Sequence, residues 1–482
     1  MEEKLKLFVE NGFLISPNLE IKEEDAVPFL NYLKRLKEKP FVISEKIYSE
    51  FLKEKTPKKV EVIRPHTFKR EHIETKVKVK KNYVPVNKKL DIKDWVTYYY
   101  DRYNKLSNIL QNREELRGAM SISRILKSNE RQNVALIGMV RDIQKTFSGL
   151  TILEVEDPTG SVKVILKNPE VAKKADEIVY DEVLGVVGVK SKNVVYADSI
   201  IFPDIPERPL KKAEDEVYAV FISDVHVGSN MFLPKELNKF ISWLQGKTGD
   251  QKQREISSKV RYLFITGDLV DGVGVYPGQE KELLINDIYD QYDAFAKYFV
   301  NLPDDIHVII APGNHDALRL AEPQHTLFKD ISKPVYDLPN VTMVSNPALV
   351  NIHNIGNFPG FDVLMYHGYS LDYYATNVPS LRKTGYDRAD LLMNFLLKKR
   401  HLAPTHGSTL INPEPQDFLV IDKIPDIFAT AHIHKSKVGR YKNILNIASS
   451  CFQDKTSFQE KVGHNPEPAR VQIINLKTTE VN

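Results

Sequence analysis

Five short apolar runs constrain this chain more than any other feature, because each ends in side chains that bind metal. Val217-Tyr-Ala-Val-Phe-Ile-Ser-Asp-Val-His226 ends in Asp224 and His226. Arg261-Tyr-Leu-Phe-Ile-Thr-Gly-Asp268 ends in Asp268, and His307-Val-Ile-Ile-Ala-Pro-Gly-Asn-His-Asp316 ends in Asn314, His315 and Asp316. Phe361-Asp-Val-Leu-Met-Tyr-His367 ends in His367, and Asp426-Ile-Phe-Ala-Thr-Ala-His-Ile-His434 ends in His432 and His434. Continuous Val, Ile and Phe without alternation is the pattern of strands buried on both faces. In extended chain, residues two apart share a face, so Asp224 and His226 point the same way. Open α/β sheets place ligands at the carboxyl ends of their strands. One such ending is weak evidence. Five in series predict one metal site at one edge of a sheet, with mixed oxygen and nitrogen ligands.

In that order the motifs resemble the calcineurin-like metallophosphoesterases. The words around them, Gly-Asp-Leu-Val-Asp-Gly-Val-Gly-Val-Tyr-Pro-Gly-Gln (267–279) and Arg-His-Leu-Ala-Pro (400–404), resemble the small subunits of the archaeal family D DNA polymerases. The resemblance covers roughly the last three-quarters of the chain. It implies a two-metal centre. One ion would take Asp224, His226, Asp268 and His434. The other would take Asp268, Asn314, His367 and His432, with Asp268 bridging. Mixed ligation suits Mn²⁺ first, with Fe²⁺ or Zn²⁺ as alternatives, better than Mg²⁺. His315 is implied as the catalytic acid, oriented by Asp316. The implied activity is 3′→5′ exonucleolytic proofreading on single-stranded or primer-end DNA, in a heterodimer with a large polymerase subunit. Two other readings are a scaffold subunit without catalysis and a stand-alone phosphodiesterase or repair nuclease. Every ligand position here is filled, which favours the enzyme. The family has Gly before its His-x-His and this chain has Ala431, which would strain the loop if φ there were positive.

At 482 residues the chain is too long for one ordinary domain. Residues 1–55 read as a small helical domain, with Leu5, Leu7, Phe8 and residues 26–33 at helical spacing. Residues 56–90 read as a basic flexible linker. Residues 53–89 hold 13 Lys/Arg and 4 Asp/Glu, a local net of +9 on a chain whose total is +3. Such a segment suggests either a polyanion contact or a solvated tether. Lys76-Val-Lys-Val-Lys80 alternates like a strand but has no evident partner nearby. Residues 91–127 read as a helical connector with a stripe of Trp95, Tyr98, Tyr99, Tyr103, Leu106 and Leu110. That stripe would pack on the next domain; a stacking platform for bases is the alternative. Residues 128–210 read as a five-strand barrel resembling an OB-fold. Its aromatic candidates are few, Phe147 and Tyr196, which favours a structural role. Pro203, Pro206 and Pro209 form a hinge into a phosphoesterase sheet sandwich at 211–482. The fold class is therefore α/β plus β.

The single cysteine, Cys451, rules out an internal disulfide and suits a reducing cytoplasm. No apolar run has the length of a membrane span and no signal peptide is legible, so a cytoplasmic protein is expected. Asp271, Tyr276 and Gln279 either touch substrate or build the loop after Asp268. Arg382, Lys383 and Arg388 are candidates for holding a nucleic-acid backbone. His325, His401 and His406 lack motif support and read as packing or surface residues. No polymerase motif is identifiable.

Overall fold

The computed structural model describes all residues except 1–6, 17, 18, 20, 23, 24, 37–39, 41, 56–69, 71, 87, 129, 462 and 482. Leu5 and most of the first half of the expected linker lie outside the described residues. The chain divides into two compact units, Met1–Pro65 and His66–Asn482. In the first, strand β1 (Leu14–Ile15) pairs in parallel with β2 (Val42–Ile43). Helices Ala26–Arg35 and Glu45–Lys55 close over Phe8, Phe29, Leu33 and Phe51. Tyr48 enters the same core and donates its hydroxyl to Asp25 at 2.7 Å.

In the second unit, β4 (Gln132–Lys145), β5 (Thr151–Asp157), β6 (Gly160–Leu166), β7 (Val183–Ser191) and β8 (Val194–Ile201) form a closed barrel in the order β4-β5-β6-β8-β7. Helix Ile92–Gln111 opens with a capping box between Asp91 and Asp94. A short turn and a second helix, Ile122–Lys127, then lead into the barrel. The long helix buries Tyr98, Arg102, Leu106 and Leu110. Leu106 and Leu110 pack with Ile137, Met139 and Val183 of the barrel and Val420 beyond it. Arg102, fully buried, bonds Asp417 at 2.8 Å, and His401 bonds the same carboxylate at 2.8 Å. A buried guanidinium needs such a counter-charge, and this one ties the helix to the large domain.

The rest is a two-sheet sandwich. One sheet runs β12-β11-β10-β9-β18, built from β9 (Tyr218–Ile222), β10 (Val260–Thr266), β11 (His307–Ala311), β12 (Val341–Met343) and β18 (Gln472–Asn475). The other runs β16-β17-β15-β14-β13-β3. Its strands are β3 (Val77–Lys81), β13 (Ala348–Ile352), β14 (Phe361–Met365), β15 (Ile427–Thr430), β16 (Lys437–Tyr441) and β17 (Ile444–Ala448). Phe221, Phe264 and Ile309 of the first sheet meet Val350, Met365, Ala429 and Ile447 of the second between the layers. Helices Pro234–Leu244 and Ile288–Phe299 cover one outer face. Helices Leu371–Asn377 and Ala389–Lys399 cover the other. β9, β10 and β15 are buried at every residue, which is why their sequences run apolar without alternation.

One expectation is overturned here. Residues 77–81 are not linker: β3 is the edge strand of the second sheet, antiparallel to β13, with Val79 opposite Val350 and Val77 opposite Ile352. Val77 and Val79 pack on the inter-sheet core while Lys78 faces outward. Arg70, upstream, donates to Asp305 at 2.8 Å and to the Ser257 carbonyl at 2.8 Å. Alternating Lys on an edge strand is a known guard against edge-to-edge pairing. The partner strand lies about 270 residues away, where no local pattern can show it.

Candidate metal centre

β9, β10 and β11 are parallel, so Asp224, Asp268 and the 314–316 turn leave the same edge of the first sheet. β14 and β15 are parallel neighbours in the second, so His367 leaves beside His432 and His434. The two edges meet, and all seven candidate ligands converge. Asp224, His226 and His434 present ligand atoms within 4.8 Å of one another, as do Asp268, His367 and His432. Asn314 joins the second group, its Oδ1 lying 2.9 Å from His367 Nε2. Asp268 Oδ2 lies 3.3 Å from His367 Nε2 and 3.8 Å from His226 Nε2, between the two groups.

The backbone is shaped to bring these side chains together. Asp224, His226, Asp268, His432 and His434 all have φ between 48° and 68°. Non-glycine residues pay about 1–2 kcal/mol each for that region, and such strain collects at functional sites. Gly267 at φ 97° lies so close to the neighbouring turn that a Cβ would sit 2.6 Å from His367 Nδ1 and 2.7 Å from the Gly313 Cα. Ala431 is not among the residues with positive φ, so its methyl costs no strain there.

Second contacts aim the ligands. His367 Nδ1 bonds the Thr266 carbonyl at 2.8 Å, which turns Nε2 toward Asp268. Asp271, buried, faces His226 Nδ1 at 3.1 Å and is itself held by Gln453 at 2.9 Å and Gln279 at 3.0 Å. Asp372 holds His432 Nε2 at 3.0 Å. Asn346 accepts the His367 amide at 2.9 Å, and Gln324, bonded to Asn346 at 2.7 Å, also reaches the Gly313 carbonyl at 3.1 Å. Of Asp271, Tyr276 and Gln279, Asp271 and Tyr276 line the cleft, while buried Gln279 braces the loop through the Asp271 carbonyl and carboxylate. Asp372, in the first turn of helix Leu371–Asn377, and Gln453 and Asn346, in loops, carry no sequence signal.

His315 stands beside the ligands. Its amide donates to Asp268 at 2.8 Å, and its Nδ1 meets the Asp271 carbonyl at 2.8 Å. The contact to His315 expected of Asp316 is made instead by the Asp271 backbone carbonyl. Asp316 turns away, accepting from the Gly313 amide at 2.9 Å and the Tyr292 hydroxyl at 3.1 Å. Its task is to shape the turn, as the first residue after His315 that can reach back to the backbone. Arg382, Lys383 and Arg388 do not line the cleft, and Arg388 pairs with Asp390 at 2.8 Å. His401 and His406 lie in packing contacts away from it, and His325 does not line it either.

Asp268 is the anionic centre of the cleft. Burial would raise the Asp268 pKa, yet the charges of His367 and His315 hold it well below the carboxylate range. Burial would depress His367, but the Asp268 carboxylate pushes it up to about 10. Asp316 is pushed up to about 7 by burial and then by the Asp268 charge. Burial holds His315 below the ordinary imidazole value. Asp224 Oδ1 is buried without a hydrogen-bond donor, and the Nε2 atoms of His226 and His434 face each other at 3.1 Å. An unbonded carboxylate oxygen between two convergent imidazoles fits a divalent cation.

The family model for calcineurin-like phosphoesterases matches residues 218–436, a span that holds all seven candidate ligands. The DNA polymerase II small subunit of Methanothermobacter thermautotrophicus is 39% identical over 388 residues, covering 80% of this chain and 78% of that one. The chain belongs to the DNA polymerase II small-subunit family. The small subunit of Archaeoglobus fulgidus is 37% identical over 442 residues, 90% of this chain and 86% of the relative. That of Methanocaldococcus jannaschii is 40% identical over 80% of this chain, which spans 64% of that relative. Membership of a metallophosphoesterase family implies divalent metals, and the clusters above offer their ligands. Among the described residues no helix is long and apolar enough to cross a membrane.

Proposed function

We propose that this chain is the nuclease subunit of a two-subunit replicative DNA polymerase, a 3′→5′ exodeoxyribonuclease that removes mispaired primer ends in the cytoplasm. The observation that carries the reading is two ligand groups, Asp224–His226–His434 and Asp268–His367–His432, with Asp268 between them and His315 beside His226 and Asp271. A pair of divalent ions, Mn²⁺ in the first place, would supply positive charge and an activated water at the scissile phosphate. One would be held by Asp224, His226, Asp268 and His434. The other would be held by Asp268, Asn314, His367 and His432. The chain itself supplies alignment and a proton. His315, anchored through Nδ1 on the Asp271 carbonyl, turns its other ring nitrogen to the cleft, from which its imidazolium form would protonate the leaving oxygen. The barrel order, first strand beside second and fourth, third beside fifth, supports an OB-type domain in a structural role. The N-terminal helices serve as a separate small module. A large polymerase subunit is the expected partner, since no polymerising centre is legible here and tethering brings frayed ends to the site at high effective concentration.

The test is hydrolysis of end-labelled single-stranded and mismatched primers with Mn²⁺, with and without co-expressed large subunit. Label released only from the 5′ end, or no metal-dependent release in either state, overturns the proposal. The second outcome would favour the scaffold reading.

A further inference from the structure

Two tyrosines end a row of rings along the metal cleft. Tyr276 lies 6.4 Å from His315 between ring centroids, His315 4.6 Å from His226, and His226 5.1 Å from His434. His464 continues the row at 6.2 Å from His434, and Tyr386 ends it at 4.8 Å from His464. Both tyrosines are half-buried and line the cleft. Each is fixed at its far end by a carboxylate. The Tyr276 hydroxyl donates to Glu282 at 2.9 Å. The Tyr386 hydroxyl bonds Asp372, the carboxylate that also holds His432 Nε2 at 3.0 Å. The backbone around Tyr276 is braced as well. Gly274 and Gly278 take left-handed φ of 76° and 86°, and Gln279 accepts the Val275 amide at 2.9 Å while donating to Asp271 at 3.0 Å. With their hydroxyls engaged, these side chains offer the cleft ring surface held in place.

We propose that Tyr276 and Tyr386 are positioning residues that stack the two bases flanking the scissile phosphate. The proposal rests on the nuclease reading and deepens it by naming how the strand is held. Every base has a π-face, so stacking on a fixed ring holds any sequence, as removal of mispaired ends demands. The assignment of sides follows from His315, whose ring would protonate the leaving oxygen. In a 3′→5′ reaction that oxygen is the 3′ oxygen of the penultimate nucleotide, so Tyr276, beside His315, takes the penultimate base. Tyr386, at the other end of the row, takes the terminal base. Each ring acts by fixing where the phosphate lies between the two ligand groups, not by contact with the reacting atoms.

Tyr276→Leu, Tyr386→Leu and the matching Phe variants test this in the full chain with Mn²⁺. The substrates are a single-stranded oligothymidylate and two counterparts that carry a base-free tetrahydrofuran nucleotide at the terminal or the penultimate position. Loss of one stacking ring should raise KM roughly tenfold with kcat nearly unchanged. Tyr386→Leu should show that rise on the intact strand but not on the strand lacking its terminal base. Tyr276→Leu should show it on the intact strand but not on the strand lacking its penultimate base. Both Phe variants should match wild type. Fluorescence anisotropy with phosphorothioate-ended versions, which resist hydrolysis, should give the same pattern in Kd. A loss shared by all three substrates, Phe variants as impaired as the Leu variants, or weakened Mn²⁺ binding by calorimetry in the Leu variants overturns the proposal and leaves the tyrosines structural. If the wild type cleaves no strand, the nuclease reading fails, while anisotropy still decides for or against the stacking.

Discussion

Removing residues 1–69 and removing residues 1–90 should have sharply different consequences. The first deletion takes the N-terminal unit and leaves Arg70 and β3; the second takes the edge strand and Tyr83 as well. Tyr83 is 2% exposed, and its ring lies edge-on to Phe418 at 5.2 Å between centroids. Its hydroxyl, with a pKa pushed up to about 12 by burial and the Glu414 contact, donates to Glu414 at 2.5 Å and accepts from Arg319 at 2.6 Å. Losing a buried aromatic side chain costs about 3–5 kcal/mol, and losing only the hydroxyl about 1–2 kcal/mol. Two further bonds go with the strand, Tyr83 amide to Ser345 Oγ at 2.8 Å and Ser345 amide to Asn82 at 2.7 Å. Ser345 precedes Asn346, which fixes His367. The expected order of melting is wild type and the 1–69 deletion together, Tyr83→Phe slightly lower, then Tyr83→Ala. At about 2 °C per kcal/mol for large domains, Tyr83→Ala should fall by about 8 °C. The 1–90 deletion should be lower still and should bind Mn²⁺ more weakly. Differential scanning calorimetry and a Mn²⁺ titration read both. If the 1–90 deletion melts within about 2 °C of the 1–69 deletion, β3 carries no stability and the argument from its pairing is wrong.

Three other outcomes are expected. Asp268→Ala should abolish nuclease activity and lose both ions by elemental analysis, because it stands between the two ligand groups; a variant that keeps two metals refutes the bridge. His315→Ala should keep its metal but lose roughly 100-fold or more in kcat, the usual share of a general acid; metal loss would make it a ligand. Burial and the Arg102 charge lower His401 to about 4, so the unfolded chain takes up a proton near 6.5 that the fold resists. Stability from this group is present above 6.5 and lost as pH falls toward 4, about 2 kcal/mol of it between pH 7 and 5. Urea unfolding of wild type and His401→Gln at both pH values should differ by that amount, and parallel pH dependence would contradict it.

The phosphoesterase core was legible because its chemistry is local. A strand buried on both faces must be apolar throughout, and its carboxyl end must hold the ligands, so Asp224, Asp268, His367 and His432 announce themselves in runs of under ten residues. The barrel was legible from short apolar segments separated by turn residues such as those at 157–160. The resemblance implied that Asp316 orients His315, whereas the turn directs its carboxylate back to the Gly313 amide.

By itself the sequence determined which side chains could bind metal and on which strand each would ride. It could not show which of them share an ion, since that depends on how two sheets, each built from distant segments, set their edges together. The same holds for β3, whose partner is fixed only when β13 offers a free edge. It holds also for Arg102, buried because Asp417 and His401 arrive from the other end of the chain. Backbone propensity and apolar periodicity act over a few residues. Counter-charges, edge pairing and second contacts to ligands act through space, and only the folded chain supplies the partner.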